Sequence, residues 1–185
     1  MSDVRIRRAT VEDAAAVAEI AERLFVRTFL PDNDPANVAD HVRSSFGESI
    51  QREELADPAI TYLLLEVGEH LAAFAELKAG SVDPSVQGES PLEIQRFYVD
   101  HTYHGVGLAP RLMDACMTEA KAQGAQVVWL GVWERNPRAI RFYEKCGFVD
   151  VGVKTFWVGD DLQFDRVMAR PISPASVAAA PDPNS

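Results

Sequence analysis

"YVDHTYHGVGLAPRLMDACMTEA" (residues 98–120) joins a strand-like segment to a helix-like segment through a turn that contains two glycines. Gly105 and Gly107 allow left-handed backbone angles and a close approach of the main chain to a ligand. Pro110 is tolerated in the first turn of a helix, because the amide that it lacks has no helical partner there. Free amides at a helix N-terminus, together with the helix dipole, form an anion site. The stretch therefore predicts either a phosphate-binding turn or a tight turn that binds nothing.

Two well-known phosphate-binding motifs do not fit this turn. A P-loop ends in Gly-Lys-Ser/Thr, and no such triplet follows Gly105 or Gly107. A dinucleotide-binding turn requires a third glycine where this chain has Pro110, together with an acidic residue after the next strand. A mononucleotide or dinucleotide site of either kind is therefore not expected.

Hydrophobic periodicity and turn residues predict the elements on either side of the turn. In chain order we expect a strand at 4–9, helices at 14–25, 36–46 and 48–56, strands at 60–67 and 70–79, a loop at 80–91, a strand at 92–99, a helix at about 110–123, a strand at 126–133, a helix at 137–146 and a hairpin with strands at 149–158 and 162–171. This order predicts one mixed α/β domain without internal repeats.

Several helix and strand boundaries have specific signals. Thr10 and Asp13 form a capping pair, and Asn136 is a good N-cap for a helix that ends before Gly147. Residues 126–133 are almost entirely apolar, which predicts a strand covered on both faces. The segment from Ile172 to Ser185 is rich in Pro, Ala and Ser, and we expect it to be a disordered tail.

The composition narrows the classes of partner. The chain has 18 basic and 28 acidic side chains and a net charge of -10, which argues against binding to nucleic acid. This charge favours a small cationic partner, although acidic surfaces also serve solubility. The N-terminus lacks the apolar core of a signal peptide, and no apolar run approaches the roughly 20 residues of a membrane span. We therefore expect a cytoplasmic protein that does not bind membranes; its oligomeric state stays open, with a homodimer among the possibilities.

The cysteines and histidines do not suggest a disulfide framework or a metal centre. Cys116 and Cys146 fall inside helical patterns and form no Cys-x-x-Cys pair, which is typical of structural thiols. His41, His70 and His101 do not have the spacing of metal ligands. No metal is therefore expected.

Three motifs together resemble the GNAT superfamily of N-acetyltransferases. Residues 104–109 resemble its central motif, Gln/Arg-x-x-Gly-x-Gly/Ala, although His104 occupies the position where the family usually has Gln or Arg. Residues 92–100, "LEIQRFYVD", resemble its splayed central strand. Residues 136–148, "NPRAIRFYEKCGF", resemble its Asn-x-x-Ala-x-x-Phe-Tyr-x-x-x-Gly-Phe segment.

The likeness extends from about Val4 to Pro171, so that 1–171 is the expected domain and 172–185 the tail. It implies a mixed α/β (α+β) fold of the GNAT type, with a twisted, mostly antiparallel sheet splayed at its middle strands and helices on both faces. "WLGVWERN", "FWVGDDLQFD" and "RTFLPDND" further resemble the PaiA-like branch of the family, which is associated with polyamine acetylation.

The resemblance implies an acetyl-CoA-dependent enzyme in which a primary amine attacks the thioester directly in a ternary complex. It implies that Tyr143 protonates the leaving sulfur or donates a hydrogen bond to it, and that Glu93 is the general base. The residues implied in acetyl-CoA binding are Phe97, Tyr98, Val99, His104, Gly105, Val106, Gly107, Leu108, Ala109, Asn136 and Tyr143. Plain packing for Tyr143 and a solvated strand carboxylate for Glu93 stay open as alternatives.

The acceptor is expected to be a small cationic amine such as spermidine or spermine. Phe29, Trp133, Trp157 and the acidic 31–34 stretch are candidates for its pocket, because aromatic faces and carboxylates attract cations. Each of these residues could instead belong to the core or to the solvated surface. Protein N-termini and antibiotics are alternative acceptors, and a catalytically idle acyl-CoA-binding regulatory module is an alternative to an enzyme.

Overall fold

The computed structural model describes residues 3–172, so the predicted tail lies outside the described residues from position 173 onward. The strands are β1 (Val4–Arg8), β2 (Ile60–Val67), β3 (His70–Ala79), β4 (Pro91–Val99), β5 (Val127–Trp133), β6 (Val149–Val158) and β7 (Asp161–Pro171). The α-helices are α1 (Ala14–Phe29), α2 (Pro35–Ser45), α3 (Glu48–Ala56), α4 (Leu108–Ala122) and α5 (Pro137–Lys145). None of these helices is both long and apolar enough to cross a membrane.

The strands form a single sheet in the order β1-β2-β3-β4-β5-β7-β6. Every neighbouring pair is antiparallel except β4 and β5, which run parallel and pair only over Pro91–Glu93 and Val127–Trp129. Beyond Glu93 the two strands separate. The predicted sheet, mostly antiparallel and splayed at its middle strands, is confirmed.

A β-bulge in β4 explains where the strands separate. Ile94 pairs with Leu77 of β3 and Arg96 pairs with Glu76, so that Gln95 is an extra residue between them. A bulge bends its own strand and increases the local twist. Because this bulge immediately follows the last residue paired with β5, it turns the second half of β4 away from β5.

Helices cover both faces of the sheet, as predicted. Side chains alternate between the faces along a strand, so Leu64 of β2 packs with Ile20 of α1, whereas Leu65 packs in the cluster that contains Leu112 of α4. Helices α1, α2 and α3 cover the first face, and α4 and α5 cover the second. Each face therefore has its own apolar core.

The structure confirms the predicted capping residues at the starts of two helices and corrects the predicted start of a third. Thr10 and Asp13 form the predicted capping box, and the Asn136 side chain accepts a hydrogen bond from the Ala139 amide at 3.1 Å. Helix α4, however, begins at Leu108 rather than near Pro110. Proline is accommodated in the third helical position because the first four amides of a helix have no partner within it.

Candidate active site

Two cavities meet where β4 and β5 separate. The α5-side cavity has a volume of about 310 Å³ and is lined by residues of β4, the turn before α4, and α5. The α2-side cavity has a volume of about 280 Å³ and is lined by residues of α1, α2 and strands β4 to β7. Both are lined by Phe29, Gln95, Arg96, Tyr98, Gly131 and Trp133. A group in one cavity can therefore reach a group in the other through the gap between the strands.

The turn before α4 reaches the α5-side cavity only at its two ends, through His104 and Ala109, whereas residues 105–108 line neither cavity. Gly105 and Gly107 have φ angles of 83° and 84°, in the left-handed region that favours glycine. Val106 between them is exposed, and Leu108 is buried in the core as the first residue of α4. Ala109 lines the cavity. The predicted turn thus combines two left-handed glycines with a helix N-terminus, the combination that an anion site requires.

His104 contacts the end of β4. Its Nε2 lies 3.0 Å from the carbonyl oxygen of Val99, to which the neutral ring donates a hydrogen bond in the Nε2–H tautomer. Partial burial lowers the pKa of His104, and Arg138 and His101 lower it further, while the hydrogen bond to Val99 and the charge of Asp100 raise it. The net effect is a lowered pKa, which favours the neutral ring. His104 therefore adds a backbone contact rather than a positive charge to the cavity wall, whereas Arg138, which sequence reasoning missed, lines the cavity as a cation.

The second half of β4 has one free edge. Ala75 and Ala73 of β3 pair with Phe97 and Val99, whereas pairing between β4 and β5 ends at Glu93 in the part of the chain that the structure describes. Residues 97–99 line the α5-side cavity. Apart from the Val99 carbonyl oxygen, which His104 contacts, the backbone groups on this edge can pair with an extended ligand as another strand would.

Tyr143 and Asn136 enter the same cavity from α5. Asn136 caps the helix and lines the cavity, and Tyr143 is only 7% exposed and lies edge-on to Phe97, with the ring centres 6.1 Å apart. Burial raises the pKa of Tyr143, so that its hydroxyl keeps its proton over the physiological range. Tyr143 therefore packs against its aromatic neighbours and also lines the cavity.

An aromatic wall encloses the α2-side cavity. Phe25 stacks on Phe29 at 4.4 Å and on His41 at 4.3 Å between ring centres, and His41 meets Phe156 edge-on at 5.5 Å. Trp133 lies 5.4 Å from Phe29. Burial lowers the pKa of His41, so this ring is neutral at neutral pH. The predicted candidates Phe29 and Trp133 therefore lie together in a pocket wall.

Three ionisable side chains lie opposite that wall. Glu93 is only 5% exposed; its Oε1 accepts a hydrogen bond from Lys154 at 3.2 Å and its Oε2 accepts one from Ser81 at 2.6 Å. Lys154 also lies 5.0 Å from the centre of the Trp129 ring. Asp165 of β7 is buried on the same side. Glu93 is therefore a buried, paired carboxylate rather than a solvated one.

Arg96 lies at the junction of the two cavities and is part of a buried polar network. Its guanidinium donates to Glu54 at 2.8 Å and forms an ion pair with Glu76 at 2.9 Å. The Tyr62 hydroxyl lies within hydrogen-bond distance of both carboxylates. Burial raises the pKa of Glu76 to about 7 despite the neighbouring guanidinium. This network fixes the bulged part of β4 against α3.

Other predicted site residues do not reach either cavity. Trp157 is 55% exposed and lines neither cavity, and none of residues 31–34 lines one. Asp34 instead caps α2 by accepting a hydrogen bond from the Ala36 amide at 2.7 Å. Sequence reasoning also missed the cavity residues Gln95, Arg96, Arg138, Lys154 and Asp165. Arg138 stands inside the recognised 136–148 motif, Gln95 and Arg96 inside 92–100, and Asp165 at the end of 156–165, whereas Lys154 lies in none of these segments. Distant elements bring these side chains together, so their place in the cavities has no local signal.

Known proteins resemble this chain over most of its length. The model of the family described as "Acetyltransferase (GNAT) family" matches residues 25–148. An uncharacterised N-acetyltransferase of Mycobacterium bovis is 33% identical, over 85% of this chain and 97% of its own length. The crystal structure of the PaiA N-acetyltransferase from Thermoplasma acidophilum in complex with coenzyme A superposes with a TM-score of 0.73 at 19% identity, covering 92% of this chain and 99% of that one. A spermine/spermidine N(1)-acetyltransferase of Bacillus subtilis is 32% identical over 30% of this chain and 37% of its own length.

Proposed function

Because the chain belongs to the acetyltransferase (GNAT) family, we propose that it transfers the acetyl group of acetyl-CoA to a primary amine, and that this amine belongs to a small polyamine. The observation that supports this proposal most directly is the meeting of the two cavities at the gap between β4 and β5. Two substrates that enter from opposite sides can react there without a covalent enzyme intermediate. This arrangement supports direct attack in a ternary complex.

Acetyl-CoA fits the α5-side cavity in our proposal. The left-handed turn at Gly105 and Gly107 and the N-terminus of α4 suit a pyrophosphate, and Arg138 adds a positive charge on the same side. The free edge of residues 97–99 can pair with the amides of the pantetheine arm, and one of these backbone amides can stabilise the oxyanion. Asn136 is within reach of the same arm from the start of α5.

Tyr143 is the proposed proton donor to the leaving sulfur. It lines the α5-side cavity, and burial raises the pKa of its hydroxyl, so that the proton is retained until the thiolate departs. Glu93 is the base that the family resemblance implies, and it lies in the α2-side cavity, bonded to Lys154 and Ser81. In this proposal, a carboxylate of that cavity accepts the proton that the ammonium loses before attack.

The α2-side cavity suits a protonated amine. Phe29 and Trp133 offer aromatic faces, and Glu93 and Asp165 offer carboxylates, which together attract an organic cation. A polyamine is therefore the first acceptor to test. The short likeness to the Bacillus subtilis spermine/spermidine enzyme agrees with this choice.

Two measurements test the proposed function. Isothermal titration should detect acetyl-CoA binding, and a thiol-detecting dye should report coenzyme A release when spermidine, an aminoglycoside or a peptide with a free N-terminus is added. We expect the fastest release with spermidine. Faster release with the peptide or the aminoglycoside would mean that this compound, and not a polyamine, represents the acceptor class. Binding of acetyl-CoA without release from any amine would favour an idle acyl-CoA-binding module, and an absence of binding would overturn the proposal altogether.

A further inference from the structure

Asp165 is a buried carboxylate of the α2-side cavity, and it ends the 156–165 segment without a role assigned to it from the sequence. Strand β7 places it between Trp133 of β5 and Lys154 of β6 in the sheet register. It is 8% exposed, and its Oδ1 accepts no hydrogen bond from any residue in the described range 3–172. A buried carboxylate oxygen without a donor is costly, which favours the protonated form of Asp165. Protein encloses Oδ1, so a ligand in the cavity would meet Asp165 through Oδ2, which lies beside Gly131.

Glu93 differs from Asp165 in this respect. Both of its oxygens accept hydrogen bonds, one from Lys154 and one from Ser81. One of these donors is the Lys154 ammonium, so a substrate ammonium would compete with Lys154 for Glu93. Asp165 has no hydrogen-bonded cation among the described residues, which leaves it the less occupied of the two carboxylates.

Asp165 lies next to a residue that both cavities share. Gly131 lines both cavities, and the Lys154 side chain occupies the space that a side chain at Gly131 would need. A Cβ at Gly131 would lie 3.0 Å from Asp165 Oδ2 and 3.0 Å from Lys154 Nζ. Asp165 Oδ2 and the Lys154 ammonium are therefore both beside the gap between β4 and β5.

We propose that Asp165 is the group that removes the proton from the acceptor ammonium, and that Glu93 holds Lys154 in place beside it. This assignment rests on the proposed function. The ammonium transfers one proton to Asp165, and the neutral nitrogen forms a bond to the acetyl carbon while the carbon–sulfur bond breaks. Tyr143 gives its proton to the leaving sulfur, and the nitrogen then gives its second proton to the Tyr143 oxygen. The products are the amide and the coenzyme A thiol, and Asp165 releases its proton to solvent.

The surroundings of Asp165 are consistent with a base that works near neutral pH. Burial raises its pKa to about 6, Lys154 of β6 lowers it, and Glu134 beyond the end of β5 raises it. The other ionisable groups that line the cavity are Glu93, Arg96, the neutral His41 and Tyr98, whose pKa is raised by burial and by the charge of Asp165. Asp165 is thus ionised at pH 7, yet it is a stronger base than an ordinary aspartate.

The test compares Asp165→Asn with Glu93→Gln, using acetyl-CoA and spermidine or whichever amine the panel selects. For the wild type, kcat/KM should rise with pH through about pH 6, where Asp165 ionises, and then level off. Asp165→Asn should lower kcat/KM at pH 7 by about 100-fold. Its profile should lack the break near pH 6 and rise towards the pKa of the free amine, while acetyl-CoA affinity stays within about twofold.

Glu93→Gln should keep the break but move it to lower pH, because Lys154 is then free to pair with Asp165. Asp150→Asn is the matched control, since Asp150 is a carboxylate of β6 that pairs with Arg166 and lines neither cavity. It should retain the wild-type profile.

Retention of wild-type activity and of the break by Asp165→Asn would overturn the assignment, and so would loss of the break in Glu93→Gln. If Asp165→Asn does not bind acetyl-CoA, the pH profiles of the wild type and of Glu93→Gln still test the assignment. A wild-type profile without a break between pH 5 and 7 would show that Asp165 is not the base. A wild-type protein that releases no thiol with any amine would instead overturn the proposed function. An active wild type with an unimpaired Asp165→Asn variant would overturn only the assignment.

Discussion

The two cavities on either side of the gap between β4 and β5 are built in different ways. The α5-side cavity depends on main-chain geometry: a left-handed turn at Gly105 and Gly107, a helix start at Leu108, and an unpaired strand edge at residues 97–99. The α2-side cavity depends on side chains, namely an aromatic wall and the ionisable groups of Glu93, Lys154 and Asp165. The α5-side cavity therefore adds backbone hydrogen bonds to the aromatic and cationic side chains that line it, whereas the α2-side cavity offers side chains that include carboxylates.

This difference indicates that the two cavities recognise their ligands in different ways. Backbone groups recognise a ligand whose shape is constant, and they tolerate many changes of side chain. Side chains from separate strands set the charge and width of a pocket and can be changed one at a time. We therefore expect substitutions in the α2-side cavity to alter the acceptor, and substitutions in the α5-side cavity to alter coenzyme binding or turnover for every acceptor.

The largest effect is expected where the two cavities join. Arg96→Met should lower the free energy of unfolding by about 3–5 kcal/mol at neutral pH, because it leaves the buried Glu76 and Glu54 without their cation. Chemical denaturation measures this loss. Arg166→Met, which breaks the more exposed pair with Asp150, is the control and should cost less than about 1 kcal/mol. Equal losses in the two variants would mean that the Arg96 network does not hold the junction together.

Turnover should depend on Tyr143 more than coenzyme binding does. Tyr143→Phe should lower kcat by about 100-fold for every acceptor, because it removes the proposed proton donor but keeps the packed ring. Its affinity for acetyl-CoA, measured by titration calorimetry, should change by less than about twofold. Tyr103→Phe is a suitable control, since Tyr103 lies outside both cavities. Equal losses of kcat and affinity in Tyr143→Phe would remove the proposed acid role.

A smaller effect is expected from the charge on the α5 side. Arg138→Gln should weaken acetyl-CoA binding by roughly 3- to 10-fold, less at high salt, because a partly exposed cation contributes modestly and is screened. Adding His104→Arg to this variant should restore much of the affinity, since the neutral His104 lies on the same cavity wall. Unchanged affinity in Arg138→Gln would show that the backbone turn alone recognises the phosphates.

The smallest effect is expected from a tryptophan outside both cavities. Trp157→Ser should leave kcat/KM for the acceptor within about twofold, because the exposed Trp157 lines neither cavity. Trp133→Phe, at the junction, should lower the same ratio by up to roughly tenfold, as expected for the loss of one aromatic contact. Steady-state kinetics with one acceptor compares the two variants. A larger loss of kcat/KM in Trp157→Ser than in Trp133→Phe would mean that the acceptor contacts Trp157.

The sequence by itself determined the elements, their order and the α5 side of the site. Four positions have a local conformational requirement that the residue type itself indicates, namely Gly105, Gly107, Asn136 and Gly147. The start of α4 was placed about two residues late, because Pro110 is acceptable at more than one position of the first turn. The family motifs span the same local segments.

Only the tertiary structure decided what surrounds the second cavity. Glu93, Lys154 and Asp165 lie on three different strands. Glu93 and Asp165 stand inside segments that resemble the family, but no residue near them in the sequence shows that the three are buried together. The bulge at Gln95 moves β4 away from β5, and the β6–β7 pairing brings Lys154 and Asp165 beside the resulting gap. Their burial, and therefore their pairing and pKa values, follow from contacts between distant segments, which no local pattern of residues encodes.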